Sequence, residues 1–227
     1  MDAIQLLKKD HRAVESLFAR FDKLSEGAAK EKKALVQRIL HELSVHTAIE
    51  EEIFYPAARK ALKPRDGKVL EALEEHHVVK VLLNELQSLS PTSERYKAKV
   101  TVLKEMVQHH VEEEETDLFP TLQKKIDRAT LGAIGQALET AKRFAPTRPH
   151  PNAPDQPPGN LIAALPAAMI DKVRDLVASA SSSHGAASRK KQKMSVGAQM
   201  HRIARATKAT KSTKAKARTK TAKRTKS

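Results

Sequence analysis

The chain has 227 residues, a formal net charge of +15 and no cysteine. The lack of cysteine excludes disulfides, thiolate metal sites, iron–sulfur clusters and a cysteine nucleophile, and it fits a reducing cytoplasm. The sequence shows no apolar run typical of a signal peptide and no stretch long enough to span a membrane. We therefore expect a cytoplasmic protein that does not enter a membrane.

The positive charge is concentrated in the C-terminal third of the chain. Residues 1–145 contain 24 basic and 24 acidic residues, whereas residues 146–227 contain 18 basic and 3 acidic residues. The second part therefore accounts for the whole net charge of +15. An electrically balanced domain followed by a cationic segment is the simplest interpretation, and the two parts require separate arguments.

The balanced part is predicted to be all-α. Apolar residues recur there at steps of three and four, which is the period of an amphipathic helix. The predicted helices cover residues 2–25, about 30–63, about 68–89, about 93–126 and a short fifth span, 128–144. A proline inside the second span, Pro56, predicts a kink or a break. We expect the four long helices to form an antiparallel up-down four-helix bundle within residues 1–145.

The remainder of the chain divides into three segments. Residues 146–158 contain six prolines, so residues 146–159 are predicted to be a linker without regular structure. Residues 160–180 have the apolar spacing of an amphipathic helix that docks on the bundle or on a partner. Residues 181–227 are rich in Ser, Ala, Lys, Thr and Arg and are predicted to be a disordered basic tail.

An internal repeat is the strongest signal in the sequence. Residues 46–56 and 110–120, which are 64 positions apart, both read H-x3-E-x5-P with an apolar–aromatic pair before the proline. At an offset of 65, residues 10–18 match residues 75–83, including a carboxylate followed by histidine. The bundle is therefore two copies of a helix pair. Each copy contributes one isolated histidine and one His-x3-Glu pair.

The spacing of the His-x3-Glu pair suits a metal site. Residues four apart lie one above the other on a helix face, and His46 shares its face with Ile39 and Leu43. The histidines and glutamates are therefore predicted to point into the bundle. Buried carboxylates are costly unless they are neutralised, and a cation among the histidines would do this. Imidazole and carboxylate ligands suit iron, manganese or zinc.

This pattern closely resembles the hemerythrin-like, HHE cation-binding family over roughly residues 2–126. The six residues that carry the resemblance are His11, His46, Glu50, His76, His110 and Glu114. The resemblance implies a four-helix bundle and two iron ions in an oxo- or hydroxo-bridged di-iron centre, with the two glutamates as bridging ligands. It also implies a small ligand, which would be dioxygen, peroxide or nitric oxide.

One departure from the oxygen carriers of that family bears on function. Those carriers have paired histidines four apart on the third helix, whereas His76 has Ala72 before it and Lys80 after it. Six ligands rather than seven leave more positions open to exogenous ligands. We therefore expect sensing or reduction of the small ligand rather than reversible carriage. The alternatives are a non-enzymatic iron-binding or storage module, and a nucleic-acid-associated protein held by its tail.

Several assignments remain open from the sequence alone. The repeat favours His76 over His77 and His110 over His109, although His109 is spaced to pair with Glu113. Tyr55 follows Glu50 by about one turn and is expected to pack rather than to donate to a bound ligand. The other glutamates near the two His-x3-Glu pairs are expected at the surface, namely Glu51, Glu52, Glu112, Glu113 and Glu115.

The basic tail is a candidate for binding polyanions. From position 189 onward the sequence contains 15 basic and no acidic residues. The tail resembles those of histone H1-like proteins in composition, and it has no aromatic residue for base stacking, so its binding to DNA or RNA would be independent of sequence. The alternative is a solubilising extension that does not bind nucleic acid. Nucleoid association is expected only if the tail binds nucleic acid. The candidate contact residues are Arg189, Lys190, Lys191, Lys193, Lys208, Lys211, Lys214, Lys216, Arg218, Lys220, Lys223, Arg224 and Lys226.

Overall fold

A computed structural model of the chain describes residues 1–62 and 67–152. Within these ranges every regular element is a helix, which confirms the predicted all-helical class there. The amphipathic helix predicted at 160–180 and the basic tail predicted at 181–227 lie outside the described residues, as does most of the predicted linker. None of the described helices is long and apolar enough to cross a membrane.

Within residues 1–62 and 67–152, seven α-helices and two π-helical turns follow one another. The first half contains α1 (Ala3–Asp22), α2 (Ala29–Ile49), a first π-helical turn (Glu50–Phe54) and α3 (Tyr55–Ala61). The second half contains α4 (Lys68–Ser88), α5 (Glu94–Glu113), a second π-helical turn (Glu114–Leu118) and α6 (Phe119–Lys125). The last helix is α7 (Arg128–Ala141). Each of the five predicted helical spans therefore corresponds to one helix or to one interrupted helix.

Polar side chains cap the helices where the sequence changes from loop to helix. Asp2 accepts a hydrogen bond from the Gln5 backbone N–H at 2.9 Å, and the Gln5 side chain accepts one from the Asp2 N–H. Ser93 caps α5 and Asp127 caps α7 in the same manner, each accepting from a backbone N–H of the first turn. Such caps satisfy N–H groups that have no partner inside the helix, so they set where these helices begin.

The two π-helical turns explain how a helix continues across each internal proline. Proline has no N–H to donate, and its ring clashes with the carbonyl four residues earlier in an α-helix. Here the backbone widens before the proline, so that Tyr55 N–H bonds to the Glu50 carbonyl and Phe119 N–H bonds to the Glu114 carbonyl. The interruption expected at Pro56 is therefore a π-helical turn. Pro120 follows the second one in the same way.

The apolar core of the described residues consists of two clusters. One contains residues from the start of α1 and α4 and the end of α2, together with α3, α6 and α7. The other contains the rest of α1 and α4, with most of α2 and α5. On α1, for example, Leu7 belongs to the first cluster and Val14 to the second, and His11 lies between them. The buried histidines and glutamates occupy the layer between the two clusters, where the helices pack against one another.

The segment after α6 packs against the first half of the chain. A Cβ atom at Gly135 of α7 would lie 2.6 Å from the Met1 carbonyl oxygen, so only glycine allows this approach to the start of α1. Further along, Pro149 is buried, and it lines a small cleft with Ser44, Thr47 and Lys80. The first residues of the predicted linker therefore lie against α2 and α4.

Candidate metal centre

The six predicted ligands lie together in the layer between the two apolar clusters. α1, α2, α4 and α5 each supply one histidine, and the two π-helical turns each begin with a glutamate. All six side chains are at most 5% exposed: His11, His46, Glu50, His76, His110 and Glu114. The structure therefore brings together groups that are up to 103 positions apart in the sequence.

The histidines form two pairs, one from each copy of the repeat. In the first pair, the His11 and His46 ring centroids are 5.0 Å apart. In the second pair, the Nε2 atoms of His76 and His110 are 3.1 Å apart. In both pairs the Nε2 atoms lie near a buried carboxylate, as two metal ions held side by side would require.

The two glutamates lie between the histidine pairs. Oε2 of Glu50 is 3.1 Å from Nε2 of His46 and 3.4 Å from Nε2 of His76. Oε2 of Glu114 is 3.3 Å from Nε2 of His11 and 3.6 Å from Nε2 of His110. Each carboxylate therefore contacts one histidine of each pair. Two groups of potential ligand atoms result, and Glu50 belongs to both.

Several buried atoms of these residues lie close to one another but make no contact with hydrogen-bond geometry in the described structure. They are Nε2 of His11, both carboxylate oxygens of Glu50, and Oε2 of Glu114. A buried polar atom without a partner costs free energy, and buried polar groups in proteins are nearly always satisfied. These unpartnered atoms converge on the layer between the histidine pairs, so the donor set fits a cation there.

The electrostatics of the glutamates also favour a cation. Burial and the neighbouring charge of Glu114 raise the pKa of Glu50 above its ordinary value. Burial would likewise raise the pKa of Glu114, but His110 and His11 outweigh it and lower this pKa. The two carboxylates thus repel each other in the metal-free protein, and a positive ion between them would relieve the repulsion.

The pKa values of His46, His76 and His110 are shifted in different directions. Burial opposes protonation of His46, yet the carboxylates of Glu50 and Asp10 outweigh it and raise its pKa to about 10. Burial and the charges of His110 and His46 lower the pKa of His76 well below its ordinary value. Burial also opposes protonation of His110, but Glu114 and Glu75 outweigh it and raise its pKa. A metal ligand must be unprotonated, so a cation bound in either pair would compete with a proton.

Each histidine has a carboxylate on the side away from the centre. Nδ1 of His11 is 2.9 Å from Glu115, Nδ1 of His76 is 3.0 Å from Glu51, and Nδ1 of His110 is 2.7 Å from Glu75. Nδ1 of His46 faces Oδ2 of Asp10 at 3.7 Å, which is longer than a hydrogen bond. We name these four residues the outer carboxylates: Asp10, Glu51, Glu75 and Glu115. Carboxylates in this position orient the ring so that Nε2 is free to bind a metal.

The comparison with known proteins agrees with this geometry. The model of the hemerythrin HHE cation binding domain matches residues 2–122, which is more than half of the chain. The chain belongs to the hemerythrin HHE cation-binding family. A hemerythrin-like protein of Schizosaccharomyces pombe is 31% identical over 74% of this chain and 83% of its own length.

Two further relatives cover less of the chain. A crystal structure of a hemerythrin HHE cation binding domain-containing protein from Mycobacterium kansasii is similar with a TM-score of 0.55 and 25% identity. The similarity covers 63% of this chain and 86% of that one. A DNA nickase of Nostoc is 26% identical over 56% of this chain, but the match spans only 35% of the nickase.

The hemerythrin domain buries two glutamates that were expected at the surface. Glu51 is 1% exposed and Glu52 is 8% exposed, whereas Glu112 and Glu113 are exposed and Glu115 is half-buried. The prediction for the first two is wrong because three successive residues of the first π-helical turn face neighbouring elements. The repeat contained a signal for the role of Glu51, since Glu51 and Glu115 occupy matching positions in the two copies. In the structure, each of the two contacts a histidine of the other copy.

Tyr55 is buried in the apolar core, as expected, but its hydroxyl also faces the centre. Its hydroxyl donates to Oε1 of Glu114 at 3.0 Å and lies 3.3 Å from Nε2 of His76 and 3.4 Å from Nε2 of His110. Burial and the charges of Glu114 and Glu50 raise the pKa of Tyr55 well above its ordinary value. The hydroxyl therefore stays protonated and is a permanent donor at the edge of the centre. α-Helical spacing alone could not show this, because the π-helical turn changes the direction of Tyr55.

Within each histidine doublet, one member points into the interior and the other points to the surface. His76 and His110 are buried, whereas His77 is exposed and His109 has a side chain that is 60% exposed. The structure thus places in the interior the members of each doublet that the repeat favoured. The outer members lie on the surfaces of α4 and α5.

A cleft reaches the centre from the side opposite Tyr55 along the helices. All four buried histidines line it, and the rest of its lining is mostly apolar. The apolar part includes Val14, Leu43, Val79, Val107 and Val111. A small uncharged molecule could enter such a cleft without losing hydrogen bonds, whereas a strongly hydrated ion would lose its water shell.

Proposed function

We propose that the hemerythrin domain binds two iron ions and uses them to bind, sense or reduce a small ligand. His11 and His46 would hold one ion, and His76 and His110 would hold the other. Glu50 and Glu114 would each contact both ions. The observation that carries this proposal is the set of buried, unpartnered ligand atoms between the two histidine pairs.

The ligand types favour iron over the alternatives. Imidazole with carboxylate suits iron, manganese or zinc, and the absence of cysteine from the sequence removes the thiolates that structural zinc sites prefer. Bundle-core carboxylates and histidines on facing helices are a recurrent way to build di-iron sites. Membership of the hemerythrin HHE family supports the same assignment.

The surroundings of the centre favour a small uncharged ligand. Bound iron would supply electrons and open coordination positions to dioxygen, peroxide or nitric oxide. The mostly apolar lining of the cleft beside Val79 and Val107 would favour dioxygen or nitric oxide over hydrated ions, because these molecules lose no strong hydrogen bonds on leaving water. On the other side of the centre, Tyr55 provides a buried hydroxyl that can donate a hydrogen bond. Six protein ligands rather than seven leave room for reaction, so we favour sensing or reduction over carriage.

The spectrum of the purified protein tests this proposal directly. We expect about two irons per chain and near-ultraviolet charge-transfer bands, which dithionite abolishes and which peroxide or nitric oxide alters. Turnover of peroxide would separate a reductive function from the alternative of a non-enzymatic iron-binding module. A protein that is isolated without metal after growth in iron-rich medium would contradict both.

We also propose the antiparallel up-down arrangement of α1, α2, α4 and α5. The distribution of residues between the core clusters supports it. Leu7 and Leu73 precede the central histidine on α1 and α4, whereas Ile49 follows it on α2, and all three belong to the same cluster. Val107 precedes the central histidine on α5 and belongs to the other cluster. Residues 1–145 would then form one metal-binding domain, followed by the linker and the C-terminal helix.

A second function for the basic tail rests on the distribution of charge. Fifteen basic and no acidic residues from position 189 onward would bind a polyanion by releasing its counterions. We propose that the tail keeps the metal domain on nucleic acid, in a reducing cytoplasm. Deletion of residues 189–227 should then reduce DNA retention at low salt while the iron content is unchanged. Equal retention with and without the tail would contradict the proposal.

A further inference from the structure

The four outer carboxylates differ in the cation that lies behind them. Three of them are paired with lysine: Glu51 with Lys80 at 2.7 Å, Asp10 with Lys142 at 2.5 Å, and Glu115 with Lys8 at 3.2 Å. Each lysine balances the charge of a carboxylate that also faces a histidine of the centre. The same arrangement of a histidine, a carboxylate and a lysine therefore occurs three times, on different helices.

Glu75, the fourth outer carboxylate, has no lysine partner within the described residues. Its Oε2 holds Nδ1 of His110 at 2.7 Å, and its Oε1 faces Nε2 of His109 at 3.6 Å. Glu113 lies one turn after His109 on α5, and its Oε1 is 3.4 Å from the same Nε2. Two carboxylates thus converge on one imidazole nitrogen. Neither carboxylate contacts a lysine or an arginine within the described structure.

The three groups have the geometry of a partial metal site. One ligand atom from each of Glu75, His109 and Glu113 lies within 4.8 Å of the others. His109 and Glu113 have the i, i+4 spacing of the inner His-x3-Glu pairs, shifted by one residue to the outer face of α5. One imidazole and two carboxylates suit a divalent transition metal such as Fe²⁺ or Zn²⁺.

We propose that Glu75, His109 and Glu113 form an outer site that binds a divalent transition-metal ion and supplies it to the interior centre. The bound ion takes the place that a lysine occupies behind each of the other outer carboxylates. Because His109 is 60% exposed and only three protein ligands are present, solvent fills the remaining positions and the ion exchanges readily. A site of this kind favours uptake of metal over permanent retention.

Glu75 connects the outer site to the interior. The same carboxylate that would bind the outer ion holds Nδ1 of His110, whose Nε2 faces the interior centre. The outer ion and the interior are thus separated by one carboxylate and one imidazole. The supply role rests on the proposed interior iron site, whereas binding of an ion to the outer site does not.

Cobalt binding separates the outer site from an ordinary ion pair between His109 and the two glutamates. The full-length protein, with its interior loaded with iron, is titrated with Co²⁺ by calorimetry. We expect one Co²⁺ per chain with an affinity that falls at least tenfold in His109→Gln and in Glu113→Gln. His77→Gln is the matched control, since His77 is the exposed member of the other doublet, and it should bind Co²⁺ as the unaltered protein does.

Two results of that titration would overturn the outer site. One is the absence of Co²⁺ binding to the iron-loaded protein, and the other is equal affinity in His109→Gln and the unaltered protein. Repeating it with Glu50→Ala distinguishes the two sites. This variant should lose interior iron and keep the outer Co²⁺ site, so a failure of the interior assignment leaves the outer one testable.

The rate of iron uptake tests the supply role. Metal-free protein is mixed anaerobically with Fe²⁺ and then oxidised at intervals, and the interior iron bands are measured. We expect His109→Gln to fill its interior site severalfold more slowly than His77→Gln, to the same final iron content. An equal uptake rate in the two variants would overturn the supply role.

Discussion

The two copies of the helix pair place the same histidines and glutamates at the centre but different side chains around them. Tyr55 of the first copy and Phe119 of the second copy occupy matching positions, 64 residues apart. The Tyr55 hydroxyl lies beside His76 and His110, whereas the Phe119 ring stacks on His11 at 5.9 Å between centroids. The histidine pair of the second copy therefore has a hydrogen-bond donor beside it, and the pair of the first copy has an apolar ring.

The outer carboxylates show the same inequality. Glu51 and its partner Lys80 are buried, whereas the matching Glu115 and its partner Lys8 have side chains that are 28% and 33% exposed. α7 packs on α1 and on the first π-helical turn, and Lys142 at its end reaches Asp10. The repeat thus produces a symmetric inner set of ligands within asymmetric surroundings. Two metal ions bound there would not be chemically equivalent.

Removing either interior glutamate should have the largest effect, because each contacts both histidine pairs. We expect Glu50→Ala and Glu114→Ala each to lose at least one iron per chain. The thermal midpoint should fall by about 5–10 °C, since metal bound to the folded state stabilises it. Iron analysis and calorimetry measure both effects. Glu112→Ala on the exposed face of α5 is the control, and an iron content like that of the control would disprove the assignment.

Replacing one lysine in each copy should show how burial changes the contribution of the two lysine–carboxylate pairs to the free energy of unfolding. Lys80→Met leaves Glu51 with its charge buried, so the free energy of unfolding should fall by about 3 kcal/mol. Lys8→Met removes a partly exposed pair and should cost less than about 1 kcal/mol. Urea denaturation of the two variants measures the difference. Equal losses would mean that the asymmetry in burial has no energetic consequence.

The packing of α7 on the first copy depends on one glycine. Gly135→Ala places a Cβ atom against the backbone of Met1 and Asp2, so α7 must shift and the free energy of unfolding should fall by about 2 kcal/mol. Gly132→Ala is the matched control in the same helix, because its Cβ meets nothing within 4 Å. The control should be neutral or stabilising by up to about 1 kcal/mol. A loss of stability in the control alone would rule out this account of the packing.

The smallest effect is expected when the two copies are made alike at the matching aromatic position. Tyr55→Phe removes one buried hydrogen bond to Glu114 and should lower the free energy of unfolding by about 1 kcal/mol. The iron content should not change, but the spectral response to peroxide or nitric oxide should. An unaltered response would show that the Tyr55 hydroxyl acts only in packing.

Local periodicity was sufficient to predict the helices and the inner set of six residues. Apolar residues at three- and four-residue steps identify the buried face of each helix, and a histidine on that face has to point inward. The repeat resolved the doublets in favour of His76 and His110, because His11 and His46 have no neighbouring histidine to compete with them. Which residues share the buried face of one helix depends only on their spacing along the sequence, so the sequence alone was sufficient to predict it.

Only the tertiary structure decided what surrounds those six residues. The pairs Glu51–His76 and Glu115–His11 join different copies of the repeat, and no spacing along one helix reveals a contact between helices. The π-helical turns add a second reason, because a turn closed five residues apart rotates everything beyond it relative to an α-helix. That rotation buries Glu51 and brings the Tyr55 hydroxyl to the centre. α-Helical spacing had predicted a solvated carboxylate for Glu51 and a packed ring for Tyr55.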